Sequence, residues 1–146
     1  MLKTILLAYD GSDHADNALA LACDMAKTYR ATLHVAHTPQ KDSPPIVFGP
    51  FVSGLGDPPS QDRIREAGEK IAEKVRDAAK ELGIEISEVH LGKSDPAAFI
   101  LKTANDIDAD LIVLGRRGLG SVRSLALGSV SLAVAHGATC ACMTVV

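Results

Sequence analysis

The sequence predicts an α/β protein: a single doubly wound domain over residues 1–146, with a five-stranded parallel sheet and helices on both faces. Three observations support this fold class. Short apolar runs alternate with segments of helical periodicity along the chain. The first and fourth runs are apolar almost throughout, which is typical of strands buried on both faces of a parallel sheet. The length of 146 residues suffices for one domain with a sizeable core and not for two.

The first part of the chain predicts two strands separated by a helix. Lys3–Tyr9 is an apolar run that ends in Asp10-Gly11-Ser12, and it forms the first strand. The following segment has alanines and a leucine at helical spacing, with Ser12 or Asp13 as its N-cap. Thr32–His37 is the second strand.

The rest of the chain continues the same alternation. Gln61–Leu82 predicts a long amphipathic helix that ends at Gly83, and Glu85–Leu91 predicts the third strand. Asp95-Pro96 opens another helix, with the aspartate as cap and the proline in the first turn. The apolar stripe of the long helix consists of Ile64, Ala67, Ile71, Val75, Ala78 and Leu82. The remaining elements are a strand at Asp110–Leu114, a helix at Gly128–His136 and a strand at Cys140–Val146.

The alternation favours the strand order 3-2-1-4-5. In that order the first and fourth strands are neighbours, and the helices that follow them leave on opposite faces of the sheet. The crevice between the carboxyl ends of these two strands is where such sheets bind ligands. Asp10 follows the first strand and Gly115 follows the fourth, so both are expected at this crevice.

A long segment, Thr38–Ser60, interrupts the pattern and holds six of the seven prolines. It is too long for an ordinary connection between a strand and a helix. It leaves from the carboxyl end of the second strand, which would allow it to cover the crevice as a flap. A surface excursion without a role at the crevice explains its composition equally well.

Composition excludes several classes of function. The net charge of −3, the absence of Trp and the scarcity of aromatic residues argue against nucleic-acid binding. The apolar runs have strand length, and the first lacks the features of a signal peptide, so we expect a cytoplasmic protein without membrane insertion. Cys23, Cys140 and Cys142 are expected to be buried reduced thiols, because a structural zinc site needs four ligands at loop spacing.

One glycine pattern points to phosphate binding: Gly115-Arg116-Arg117-Gly118, nine residues, then Gly128-Ser129. It joins the end of an apolar strand to the start of a helix, where backbone N–H groups can hold a phosphate. The stretch lacks the lysine of a P-loop and the third glycine of the dinucleotide fingerprint. Positive φ at Gly115 and Gly118 would allow a phosphate to approach the backbone closely. A glycine-rich turn without a ligand remains the alternative on these residues alone.

With these motifs, the whole chain resembles the universal stress protein family. The family's first strand and its aspartate are similar to Ile5-Leu6-Leu7-Ala8-Tyr9-Asp10-Gly11-Ser12 in this chain. The family's second strand is similar to Leu33-His34-Val35. The glycine pattern described above matches the ATP-binding signature of the family. Members without these glycines do not bind ATP, so the resemblance implies the ATP-binding branch.

The resemblance also implies a set of site residues. Asp10 and Ala8 would lie near ribose and adenine, and the backbone of Val35 would meet the adenine edge. Asp10 could in addition help to hold Mg²⁺ through the phosphates, although capping the first helix is an alternative role for it. The phosphates would contact Gly115, Arg116, Arg117, Gly118, Leu119, Gly120, Ser121, Gly128, Ser129, Val130 and Ser131.

The function implied is that of an ATP-binding regulator of the stress response, with nucleotide controlling dimer or partner surfaces. The resemblance implies a homodimer through strand 140–146, and a higher oligomer is compatible with it. Many members have a proline at position 141, where this chain has Ala141 and keeps an N–H donor. Two alternatives stay open: a nucleotide-independent adaptor for a protein partner such as a membrane transporter, and a slow ATPase. We predict no catalytic residue, because the sequence places no nucleophile beside a base.

Overall fold

The computed structural model describes residues 1–38, 61–118 and 127–146. Within them, strands and helices alternate as the sequence predicts. The elements in chain order are β1 Thr4–Ala8, α1 Asp13–Tyr29, β2 Thr32–His37, α2 Gln61–Glu81, β3 Ile86–Leu91, α3 Pro96–Asp106, β4 Leu111–Gly115, α4 Ser129–Gly137 and β5 Ala141–Val145.

The five strands form one parallel sheet in the order β3-β2-β1-β4-β5, which confirms the predicted order. β1 lies at the centre, where Leu7 is in register with Val35 of β2 on one side and Val113 of β4 on the other. β3 and β5 form the two edges. The carboxyl ends of β1 and β4 therefore lie side by side, as the crevice requires.

Each face of the sheet is covered by its own core. Ile5 and Leu7 pack with α1 and α2 on one face, whereas Leu6 and Ala8 pack with α3 and α4 on the other. Successive side chains of a strand point to opposite faces, so a strand that is apolar throughout joins both cores. The predicted arrangement of helices on both faces is confirmed.

The helix starts follow the predicted capping residues. Ser12 is the N-cap of α1, and its hydroxyl accepts a hydrogen bond from the Ala15 N–H at 3.2 Å. Asp95 caps α3 in the same way, through the Ala98 N–H at 2.9 Å. Both caps satisfy N–H groups that a helix cannot pair internally.

The buried stripe of α2 differs from the predicted one. Ala67 is exposed and Leu82 is 40% exposed, whereas Val75 is fully buried. The buried residues of this helix are Gly68, Ala72, Val75 and Ala79, with the predicted Ile71 and Ala78 partly buried beside them. Small residues let the helix approach the sheet closely, and hydrophobicity alone does not mark a glycine as part of the buried face.

Two of the three cysteines are less buried than predicted. Cys23 is buried in α1, but Cys140 and Cys142 are only half-buried against the core on the α3 and α4 face. They lie at or next to the edge strand β5, which has a neighbour on one side only. All three are free thiols.

Among the described residues, no helix combines the length and the apolar character needed to cross a membrane.

Candidate functional site

A cavity of about 420 Å³ opens at the crevice between β1 and β4. This volume falls within the range of about 300–1,000 Å³ that is typical of small-molecule sites. Residues from the ends of β1, β2 and β4 and from the starts of α3 and α4 form its wall. Those residues are Ala8, Tyr9, Asp10, Ala36, Thr38, Pro96, Ile100, Leu114, Gly115, Arg117, Gly118, Leu127, Gly128, Ser129, Val130 and Ser131.

Asp10 projects into the crevice from the turn after β1. Its Oδ1 accepts a hydrogen bond from the Ser12 N–H at 3.0 Å, which fixes the carboxylate over the start of α1. A Cβ atom on Gly118 would lie 2.5 Å from Asp10 Oδ2. Asp10 and Gly118, which are far apart in the sequence, therefore touch at the crevice.

Gly115 and Gly118 do not adopt positive φ as predicted. Among the described glycines, positive φ occurs at Gly11 and Gly83. Close approach explains Gly115 instead, because a Cβ there would lie 2.9 Å from the carbonyl carbon of His14 and 3.1 Å from the Ala15 nitrogen. The absence of a side chain lets the end of β4 pack on the backbone of the first turn of α1.

Two hydrogen bonds fasten the end of β4 to the start of α4. The Ser131 hydroxyl donates to the Gly115 carbonyl at 2.8 Å, and the Gly128 N–H donates to the Arg116 carbonyl at 2.9 Å. Ser131 is buried, so this bond is largely shielded from water. These contacts hold Gly128, Ser129 and Val130 against the wall of the cavity.

The first turn of α4 presents its N–H groups at the cavity. Gly128 is the N-cap, and no side chain of the described residues caps this helix. Ser129 is exposed at the first helical position. An uncapped helix start has unpaired N–H groups and the positive end of the helix dipole, a combination that favours an anion.

Polar atoms without a partner also lie at the cavity. Thr38 Oγ1 and Arg117 Nε are buried and have no hydrogen-bond partner within the described parts of the chain, and both residues line the cavity. Buried polar atoms are nearly always paired in folded proteins. A polar ligand in the cavity is one way to satisfy them. Arg116 Nε likewise has no partner among the residues that the structure describes, but Arg116 does not line the cavity.

The structure places most of the predicted residues together at the cavity, and two of the described ones, Val35 and Arg116, do not line it. Val35 is fully buried in the core on the α1 and α2 face, so its side chain points away from the cavity. Its neighbour Ala36 lines the cavity. Arg116 lies beside the wall, as noted above, and predicted residues 119–121 lie outside the described residues, as does nearly all of segment 38–60.

Sequence reasoning missed several lining residues: Tyr9, Ala36, Thr38, Pro96, Ile100, Leu114 and Leu127. For Ala36 and Leu114 a signal was available, since both share the face of Ala8 in the alternation of neighbouring strands. Pro96 and Ile100 line the cavity because α3 packs on that same face. Tyr9 is fixed there by its main chain: its N–H donates to the Ala36 carbonyl at 3.0 Å, and its carbonyl accepts from His37 Nδ1 at 2.8 Å.

The fold and the cavity together define a class: doubly wound parallel α/β proteins with a ligand cavity at the switch point of the sheet. The chain belongs to the universal stress protein family, whose family model matches residues 1–145.

Individual relatives agree with this membership. The chain is 43% identical over 141 residues to a Thermus aquaticus protein described as the universal stress protein in the QAH/OAS sulfhydrylase 3′ region, covering 96% of both chains. It is similar in fold to universal stress protein UspA from Lactobacillus plantarum, with a TM-score of 0.77, 23% identity, and coverage of 99% of this chain and 97% of that one. A universal stress protein solved in complex with cAMP matches with a TM-score of 0.71 and 26% identity, over 99% of this chain and 97% of that one.

Proposed function

We propose that this protein binds ATP in the cavity between β1 and β4 and acts as a nucleotide-dependent regulator in the stress response. The observation that carries the proposal is a combination of features at one cavity: among the described residues, polar atoms of Thr38 and Arg117 have no hydrogen-bond partner and the start of α4 has no side-chain cap. Binding of cAMP by a relative of the same fold supports a nucleotide as the ligand. We propose a cytoplasmic location for this activity.

In this proposal the two ends of the cavity have different roles. The apolar wall that Ala8, Ala36 and Ile100 form on one side suits a base, and Asp10 is available to a ribose hydroxyl or to Mg²⁺. The backbone of Val35 is proposed to meet the adenine edge. The glycine segment 115–121 and the first turn of α4, residues 129–131, are proposed to surround the phosphates.

The proposal is tested by calorimetric titration of nucleotide-stripped protein with ATP, with and without Mg²⁺. We expect one ATP per chain and tighter binding with Mg²⁺, with cAMP and GTP as comparison ligands. Absence of binding at millimolar ATP would contradict the proposal. A second measurement identifies any nucleotide that is released when protein purified without added nucleotide is denatured.

We further propose a homodimer in which β5 pairs with its copy. β5 is an edge strand, and such strands present unpaired N–H and C=O groups. Contrary to expectation, the Ala141 N–H is not free for this pairing, because it donates to the Asp110 carbonyl at 3.3 Å and so points into the sheet. In a parallel ladder alternate residues face the neighbouring strand, so Cys142 and Thr144 present their N–H groups at the outer edge.

Slow ATP hydrolysis is the alternative that a specific observation favours, since the Asp10 carboxylate faces the same cavity. Hydrolysis would need positioned phosphates, a metal ion and a water molecule. Quantification of released phosphate during a long incubation separates the two: we expect ATP to be recovered intact. Phosphate release that disappears in Asp10→Ala would instead establish an ATPase.

A further inference from the structure

A second cluster of polar side chains lies away from the cavity, on β2 and the edge strand β3. It consists of His34, Glu88 and His90, whose potential ligand atoms all lie within 4.8 Å of one another. An irregularity in the pairing of β2 with β3 creates it. Leu33 pairs with Ile86 but His34 pairs with Glu88, so Ser87 is the extra residue of a β-bulge.

The bulge decides which side chains share a face. Without it His34 would lie opposite Ser87, and Glu88 and His90 would point to the other face of the sheet. With it, His34 is in register with Glu88, and His90 with Ala36 two residues further along β2. Two imidazoles and a carboxylate thus gather on one face, at the edge of the sheet.

The distances between these groups fit a metal ion. His34 Nδ1 lies 3.2 Å from His90 Nε2, and His90 Nε2 lies 3.8 Å from Glu88 Oε2. Two nitrogens bound to one tetrahedral zinc ion at about 2.0–2.1 Å are about 3.3–3.4 Å apart. All three ligand atoms lie within 4.8 Å of one another, and the Glu88 side chain is 64% exposed, so it is free to rotate and bring its carboxylate closer to the two nitrogens.

We propose that His34 Nδ1, His90 Nε2 and a Glu88 carboxylate oxygen form a binding site for a divalent transition metal ion of the zinc class. Two imidazoles and one carboxylate leave a fourth position of the tetrahedron open to water. The His90 side chain is 19% exposed, so the site is reached from solvent while one side rests on the sheet.

The surroundings of His34 act on the pKa of its imidazole. Burial lowers the pKa of His34, and a positive charge on His90 would lower it further, whereas Glu88 acts in the opposite direction. Without metal, one ring donates a hydrogen bond to the other at 3.2 Å, and a bound metal ion would take the place of that shared proton.

The test is titration of nucleotide-stripped protein with zinc chloride under reducing conditions, followed by calorimetry and by NMR of the histidine ring nitrogens. We expect one zinc ion per chain, with shifts at His34 Nδ1 and His90 Nε2. His90→Gln and Glu88→Gln should each weaken zinc binding by at least about tenfold. Zinc should raise the melting temperature of the unaltered protein and not that of His90→Gln, because a ligand of the native state stabilises it.

Controls address the other groups that bind zinc. His136 is exposed on α4, and His136→Gln should bind zinc as the unaltered protein does. A Cys140→Ser, Cys142→Ser double variant should do so too. Glu88→Gln alters an exposed side chain, so it remains informative if a histidine variant fails to fold. Equal zinc affinity in unaltered protein, His90→Gln and Glu88→Gln would overturn the proposal, and so would loss of binding only in the cysteine variant.

Discussion

Asp10 Oδ2 lies 2.5 Å from the point that a Cβ atom would occupy on Gly118. Asp10 follows β1 and Gly118 follows its neighbour β4, so their contact joins the two sides of the crevice at the switch point. Asp10 cannot simply rotate away, since its other carboxylate oxygen accepts the Ser12 N–H at 3.0 Å.

We expect Gly118→Ala to displace the Asp10 carboxylate and to weaken ATP binding by about tenfold to a hundredfold. This is the effect of losing one hydrogen bond to a charged group. Calorimetric titration measures the affinity, and circular dichroism checks that the fold is kept. The double variant with Asp10→Ala supplies the control. If the contact causes the effect, Gly118→Ala adds little once the carboxylate is gone; fully additive losses would argue against it.

A methyl group at Gly115 should affect folding more than ligand binding alone. It would meet the His14 and Ala15 backbone at 2.9–3.1 Å, and a helix backbone cannot yield as a flexible side chain can. We expect Gly115→Ala to lower the free energy of unfolding by about 1–3 kcal/mol, measured by urea denaturation. Gly128→Ala is the matched control: its nearest neighbours lie at 3.5 Å, and the cost should stay within about 1 kcal/mol for a poorer N-cap. Equal losses would contradict the packing argument.

The two serines of the first turn of α4 should separate stability from binding. Ser131→Ala removes a buried hydrogen bond and leaves the Gly115 carbonyl unpaired, so we expect a loss of about 1–3 kcal/mol in unfolding free energy. Ser129 is exposed, and Ser129→Ala should leave the melting temperature nearly unchanged while weakening ATP binding. Thermal melts and titrations on both variants test this. A reversed pattern would mean that the roles assigned to the two hydroxyls are wrong.

Stability should fall on mild acidification because of His37. Burial lowers the pKa of its imidazole, while its hydrogen bond to the Tyr9 carbonyl and the charge of Asp10 oppose part of that effect. In the unfolded chain a histidine takes up a proton near pH 6.5, at the ordinary value. As the pH falls below that value the unfolded state binds more protons than the folded state, and the free energy of unfolding decreases.

Urea denaturation between about pH 7.5 and 5.5 measures this dependence. His37→Gln should reduce the slope without removing it, since burial also lowers the pKa of His34. An unchanged slope in the variant would exclude His37 as a source.

A proline at the outer edge should test the dimer. Thr144 alternates with Val145, whose carbonyl accepts the Arg116 N–H, so the Thr144 N–H points away from β4. Thr144→Pro removes that donor, and we expect at least about a tenfold weaker dimer by sedimentation. Thr144→Val keeps the N–H and should dimerise normally. A dimer that tolerates the proline would place the interface elsewhere.

The sequence predicts the fold well because its strongest signals are local. Apolar runs, the caps at Ser12 and Asp95, and the alternation of strand and helix all act within a few residues, and the order of the strands follows from them. The buried face of α2 depends instead on how closely the helix approaches the sheet, which is why Gly68 escaped prediction.

The candidate site likewise combines features that the sequence shows directly with features that arise only from packing. Asp10 and the glycine pattern are visible as motifs, whereas Ile100 joins the cavity only because α3 packs on the face of the sheet that carries Ala36 and Leu114. The His34 cluster depends on a single extra residue, Ser87, in the pairing of two strands. Periodicity cannot reveal such a bulge, because it changes the register without changing the character of either strand.

The hydrogen bond from the Arg116 N–H to the Val145 carbonyl, at 2.6 Å, joins the segment after β4 to the last residue of the edge strand. If the proposed ligand shifts that segment on binding, this hydrogen bond would transmit the shift to β5. Thermodynamic linkage would make such a coupling reciprocal. If a ligand strengthens the pairing of the β5 edge by a given factor, pairing of that edge strengthens the binding of the ligand by the same factor. The concentration of protein would in this way tune the concentration of nucleotide to which it responds.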